Sequence, residues 1–310
     1  MENVREIKFK KSRWIHFDSP NHESIEYLRK KYPFSNTLLQ DSLSSSHRTK
    51  IESYPDYLYF VIILPLYSRN IREIHDTKFN FFIGKDYIIS FSHEHCKVFH
   101  DFFNLFYENK NIRDGVENST PEGILHELLD KLYHSSMPII DHIISDSDKI
   151  EKAIFSRKEN KMISEILLVR RNITDFRQIM QGHKDIIKKL ITTLKDNPLY
   201  YMKKTDITYN NLIEHAKEIW NNLEILKERI EALQQTNESQ ISFLLSDIMK
   251  TLTIISVITF PITLIAGIFG MNTIKAMPFI EHQHGFWIII GLMIMIVVAM
   301  LSFFKKKGWM

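Results

Sequence analysis

The side chains whose type and spacing say most about chemistry lie near the C-terminus. Gly270-Met271-Asn272 closes an apolar stretch that is polar along one line. Ser246, Met249, Thr253, Ser256, Phe260, Thr263, Gly267 and Gly270 recur at spacings of three and four and share one helical stripe. At a helix C-terminus the last carbonyls point outward and carry a partial negative charge, which favours a cation there. A cation that keeps its hydration shell would meet there the neutral amide oxygen of Asn272, which, unlike a carboxylate, would not trap it. Spacing alone admits two readings of the stripe: a pore lining, or a seam where small residues let helices approach. Met249, Leu252 and Phe260 also admit two, as hydrophobic constrictions that gate by dewetting or as packing against a second helix. Pro261 withholds a donor from the Val257 carbonyl, which a neighbour, water or a ligand must satisfy.

Other clusters point less clearly. His93-Glu94-His95-Cys96 with His100 has metal-ligand residue types, but no HExxH is present, and strand alternation puts Glu94 on the face opposite His93 and His95. A structural or solvated role is expected there. His282 and His284 offer two imidazoles that would favour Zn²⁺, Co²⁺ or Ni²⁺ over Mg²⁺, though loop histidines are ordinarily just solvated. Cys96 is the one cysteine, which excludes an internal disulfide and any CxxC site. Only Gly84, Gly115, Gly123 and Gly182 precede residue 251, too scattered for a phosphate-cradling loop. An enzyme is not expected.

The elements that must position these residues read as follows. Trp14–Phe17, Tyr57–Leu64, Phe79–Ile83 and Tyr87–Phe91 are strand-like, and Ser19-Pro20-Asn21-His22-Glu23 starts a helix. After Pro121 helical periodicity runs past Pro138 to Ile150, and a second run spans Glu159 to Leu190. From Leu199 to Phe260 there is neither glycine nor proline, enough for a helix of roughly 90 Å at about 1.5 Å per residue. Within it Leu212, Ala216, Ile219, Leu223, Leu226, Ile230 and Leu233 alternate in steps of four and three, the mark of a helix–helix seam. Asn237, Ile241, Leu244 and Ile248 continue it through a stutter.

Two uncharged stretches follow, ending near Phe269 and spanning Phe286 to Phe304, each long enough to cross a bilayer. Lys275, Lys305, Lys306 and Lys307 against Glu281 account for the whole net charge of +3, so the first 250 residues are formally neutral. That balance argues against a nucleic-acid partner. Lys250 and the terminal lysines place both termini in the cytoplasm by the positive-inside rule, with Trp287 and Trp309 as interfacial anchors. No cleavable signal is expected at the charged N-terminus, so the sequons at Asn118, Asn172 and Asn237 read as chance matches. The fold class is α+β: a mixed α/β domain over residues 1–115, a helical region with the long stalk helix over 116–250, and a transmembrane hairpin over 251–310.

Gly270-Met271-Asn272, in the context from Pro261 to Asn272, resembles the CorA family of divalent-cation channels. The likeness extends to Met249-Lys250-Thr251-Leu252-Thr253, Met277-Pro278, the terminal lysines, Leu39-Gln40-Asp41-Ser42-Leu43, Tyr57-Leu58-Tyr59-Phe60 and Leu168-Val169-Arg170-Arg171. The resemblance implies a homopentamer in the cell (inner) membrane with the first span lining the pore. Ser246, Met249, Leu252, Ser256, Phe260 and Thr263 would then line or gate it. It implies Mg²⁺ as both transported and regulatory ion, with Co²⁺ and Ni²⁺ also carried and no resident cofactor. Entry would be driven by the membrane potential, and lipid and divalent cations would be the partners. Closure in the family uses carboxylates bridged by cytoplasmic Mg²⁺, which maps one onto Asp41. Its partner position holds Asn211, an amide where the family usually has Asp, with Glu214 as a possible substitute. The outer loop departs as well, reading Met277-Pro278-Phe279-Ile280 with Glu281 two places beyond the family's acid. Two other readings are a zinc-transporting member of the same superfamily and a non-conducting, membrane-anchored coiled-coil scaffold.

Overall fold

Alternating aromatic and β-branched residues build the sheet around which the N-terminal part folds. A computed structural model describes residues 4–9, 11–44, 48–92, 97–108, 120–156, 162–200, 206–271, 278–279 and 282–309. The chain divides into two units, Met1–Gln234 and Gln235–Met310. The first contains β1 (Val4–Lys8), β2 (Arg13–Asp18), β3 (Lys50–Ser53), β4 (Tyr57–Ser68), β5 (Glu73–Gly84) and β6 (Tyr87–Ser92), in the order β1-β2-β6-β5-β4-β3. Among the described residues only β2 and β6 pair in parallel; the other neighbours are antiparallel. The four strands predicted from pattern are the interior ones, and β1 and β3, which pattern does not announce, form the edges.

Both sheet faces are covered, so the interior strands read as nearly unbroken apolar runs. Along β4, Leu58, Phe60 and Ile62 enter one core while Tyr57, Tyr59 and Val61 enter the other. Helices α1 (His22–Lys31) and α2 (Asn36–Leu43) close the second core through Ile25, Leu28, Leu38 and Leu39. Asn21 caps α1 where the sequence predicts a start, its side-chain oxygen accepting from the Ser24 N–H at 3.0 Å. The first core is closed by α3 (Lys97–Glu108), α4 (Pro121–Phe155), α5 (Met162–Met180), α6 (His183–Asp196) and the N-terminal part of α7 (Asp206–Phe269).

One helical expectation needs correction. The run from Glu159 to Leu190 is not one helix: it breaks between α5 and α6, where Gly182 has φ +85°. Only a residue without Cβ enters that left-handed region cheaply, so the chain turns there. By contrast α4 continues through Pro138 and α7 through Pro261. The predicted seam is buried from Leu212 to Leu233, and Arg177 on α5 reinforces it by donating to Glu224 at 2.6 Å. Tyr209 anchors the start of α7, donating to the Glu122 carbonyl at 2.7 Å. Two of the sequons are buried, and the Asn172 amide is spent on the main chain of Arg72 and Ile74.

The second unit contains the rest of α7 and α8 (Gly285–Lys306). Both helices are long and apolar enough to cross a membrane, and nothing in their most apolar windows is buried.

Candidate cation-pathway and sensor residues

The span of α7 has two opposite faces. Its less exposed residues are Ile254, Ile258, Pro261, Ile262, Ile265 and Phe269. At about 100° per residue these lie roughly opposite the line through Met249, Ser256, Phe260, Thr263 and Gly267. Helix α8 has a matching half-covered stripe, including Ile289, Met293, Ile296, Met300 and Phe304. Each helix thus has one less exposed stripe, and among the described residues the polar stripe of α7 is left exposed. Met249, Leu252 and Phe260 are 60%, 57% and 76% exposed, so within the chain none of them packs on α8. Ser246, Ser256 and Thr263 are exposed as well. A groove of about 700 Å³ runs along this face, lined among others by Ser256, Thr259, Phe260, Thr263 and Gly267.

The hydroxyls on this helix have a defined polarity. Thr253, Thr259 and Thr263 each donate to the carbonyl four residues earlier, at 2.7, 2.7 and 2.9 Å. Their protons are thus committed to the helix, and the oxygen lone pairs face outward as acceptors, the polarity that water around a cation requires. At the end of the helix the Gly270 N–H bonds the Ala266 carbonyl at 2.9 Å and the Met271 N–H bonds that of Ile268 at 3.3 Å. A Cβ on Gly270 would meet the Ala266 oxygen at 3.0 Å, a local reason for glycine there. Asn272 lies outside the described residues, as do Met277 and Glu281 of the connecting loop. His282 and His284 are exposed, with ring centroids 6.2 Å apart.

Asp41, on α2, is already paired. Lys50 reaches its carboxylate at 3.1 Å and Lys78 at 3.8 Å, and the Tyr59 hydroxyl donates to it at 3.1 Å. Lys78 also donates to the Asp41 carbonyl at 2.7 Å, although its side chain is only 3% exposed. Burial alone would raise the Asp41 carboxyl, but the Lys50 hydrogen bond and the Lys78 charge outweigh it and hold the group below its ordinary value. Burial in turn pulls the Lys78 ammonium down against the attraction of Asp41. Asn211 and Glu214 are exposed on α7, and Glu214 accepts from Lys217 at 2.6 Å. Among the described residues no hydrogen bond or ion pair joins Asp41 to either of them.

The histidine cluster at 93–96 lies outside the described residues, and the Nδ1 of His100 pairs with Arg5 at 2.6 Å. A different cluster, unforeseen from sequence, comes together between α4 and α7. Asp130, His134 and His215 bring their potential ligand atoms within 4.8 Å of one another. Asp130 and His134, one turn apart on a helix face, are legible as a pair; His215, 81 positions beyond His134 in a chain of 310 residues, is brought in by the helical seam alone.

Comparisons with known proteins agree on the family. A family model described as CorA-like Mg²⁺ transporter protein matches residues 9–306. The cobalt/magnesium transport protein CorA of Thermotoga maritima is 25% identical over 273 residues, covering 88% of this chain and 76% of that one. The full-length structure of the CorA magnesium transporter from Methanocaldococcus jannaschii superposes with a TM-score of 0.83 at 19% identity, over 99% of this chain and 94% of that one. The ZntB cytoplasmic domain from Vibrio parahaemolyticus matches at a TM-score of 0.62 and 10% identity, covering 76% of this chain and 89% of its own. The two structures speak to the fold, which is common to the CorA and ZntB proteins.

Proposed function

The chain belongs to the family of CorA-like Mg²⁺ transporter proteins, and from that premise we propose that it is a homo-oligomeric divalent-cation channel, with Mg²⁺ as its main cargo. The observation that carries this reading is the exposed polar stripe of α7, set opposite its less exposed stripe from Ile254 to Phe269. Copies of the chain, five by family analogy, would bring these stripes together around an axis in the cell membrane, with both termini cytoplasmic. Asn272 would ring the outer mouth and offer amide oxygens to the hydration shell. The outward lone pairs of Thr253 and Thr263 would replace bulk water along the path. Met249, Leu252 and Phe260 would close it by excluding water.

No covalent chemistry and no nucleotide is required. A divalent cation gains about 4.6 kcal/mol per 100 mV on moving down an inside-negative potential, at about 2.3 kcal/mol per charge. That is ample for uptake, so regulation has to come from closure. Cytoplasmic Mg²⁺ bridging Asp41 of one copy to Asn211 or Glu214 of another would close the channel. At such a site Mg²⁺ competes with Lys50 for Asp41 and finds an uncharged amide at Asn211, so the site would bind weakly. A zinc-carrying member of the superfamily is the second reading, favoured by the exposed His282 and His284 pair.

Asn272→Ala is the direct test, because a methyl group offers no oxygen to the ion. The mutant is expected to assemble normally and to lose Mg²⁺ flux in proteoliposomes. Unchanged flux in correctly assembled mutant would remove Asn272 from selectivity.

A further inference from the structure

We infer that Asp130, His134 and His215 form a binding site for a cation of the Zn²⁺, Co²⁺ and Ni²⁺ class, joining α4 to α7 within one chain. Asp130 Oδ1 lies 3.4 Å from His215 Nε2, and its Oδ2 lies 3.8 Å from His134 Nε2. Neither contact is a hydrogen bond, but both lie within ion-pair distance. The carboxylate is thus shared between the two imidazoles, whose ring centroids are 4.8 Å apart.

A tetrahedral zinc ion with bonds of about 2.0–2.1 Å holds its donor atoms roughly 3.4 Å apart. One pair already meets that spacing. All three donor atoms lie within 4.8 Å of one another, and the His134 side chain, 54% exposed, has room on its solvent side to turn its ring. Two imidazoles and one carboxylate leave a fourth position for water. Asn211 stands one turn before His215 on the same face of α7, so its amide oxygen can approach that position.

The ligand types set the selectivity. Imidazole nitrogen suits Zn²⁺, Co²⁺ and Ni²⁺, whereas Mg²⁺ takes an all-oxygen octahedron and keeps most of its waters. The cluster is not needed to hold the helices together, since Leu212 and Ala216 are buried beside it and Tyr209 anchors α7 to α4. Binding here does not depend on whether the chain conducts.

The test uses the full-length, tag-free protein in detergent, titrated with ZnCl₂ and separately with MgCl₂. One Zn²⁺ per chain is expected at this site, undisturbed by about a hundredfold excess of Mg²⁺. His134→Gln and His215→Gln should each weaken it by at least roughly tenfold, since even outer-shell changes cost about 10–100-fold at metal sites. The doubly substituted His282→Gln/His284→Gln chain should retain it. Far-UV circular dichroism checks that each variant is folded. Cobalt(II) bound to the unmodified protein should give the intense visible bands of four-coordinate nitrogen ligation, a readout that needs no variant. The inference is overturned if Zn²⁺ binding is unchanged in a folded His134→Gln/His215→Gln chain, if it is lost only with the loop pair, if Mg²⁺ displaces it at equal concentration, or if Co²⁺ gives only weak octahedral bands.

Discussion

Asp41 shows how a residue can be visible in the sequence while its state is not. Its position follows from a short pattern, Leu39-Gln40-Asp41-Ser42-Leu43, but Lys50 on β3 and Lys78 on β5 reach it only once the sheet has formed. The same holds for Asp130 and His134, which complete a cluster only when α7 supplies His215. Threonine polarity in the span, by contrast, follows from local helix geometry and needs no tertiary information. For the proposed cation site at Asp41 the consequence is quantitative. With Asp41 held by lysines and Asn211 uncharged, closure should require more internal Mg²⁺ than a site with two free acids. Asn211→Asp adds a charge and should lower the Mg²⁺ concentration at which the N-terminal unit becomes protected from protease. An identical midpoint in wild type and mutant, or no effect of Asp41→Ala, would remove this site from the mechanism.

At the scale of elements, the sequence announces the interior strands and long helices and misses the edges. Val4–Lys8 and Lys50–Ser53 carry charged residues because edge strands lie against solvent and resist pairing with other chains that way, so they lack an apolar pattern. The break at Gly182 is a single residue in a run whose periodicity otherwise continues, and periodicity cannot report a local φ. Just beyond it, His183 begins α6 fully buried, with its Nδ1 bonded to the Tyr133 hydroxyl of α4 at 2.9 Å. Burial pushes its pKa down from 6.5 to about 4. The unfolded chain therefore takes up a proton between those values that the folded chain refuses, and stability falls as pH drops from 6.5 toward 4. The loss approaches roughly 3 kcal/mol at about 1.4 kcal/mol per pH unit. Urea denaturation of the detergent-solubilised chain across this range should show the decline, and His183→Gln should flatten it; parallel slopes would assign the acid sensitivity elsewhere. In α7, Met249→Gly or Phe260→Gly should widen and wet the proposed constriction, raising leak at high internal Mg²⁺. Tightly closed mutants would assign these side chains to packing between copies.

For the molecule as a whole, the division between a formally neutral N-terminal part and an apolar, basic C-terminal part is plain in the sequence, and the architecture follows from it: an α+β unit, a 64-residue helix and two apolar helices. What joins these parts into a function is a face with no partner among the described residues, and a face can be read from spacing only when its opposite is known to be covered. The half-buried stripe from Ile254 to Phe269 supplies that knowledge. The central claim is that copies of this face enclose a cation path. Its most direct measurement is Mg²⁺ flux into proteoliposomes of the purified protein under an imposed inside-negative potential, with Co²⁺, Ni²⁺ and Zn²⁺ in parallel. The account predicts Mg²⁺ entry that grows with the potential and is lost in Asn272→Ala. No flux of any divalent cation through correctly assembled wild-type protein, at low internal Mg²⁺, would contradict it and leave a membrane-anchored scaffold.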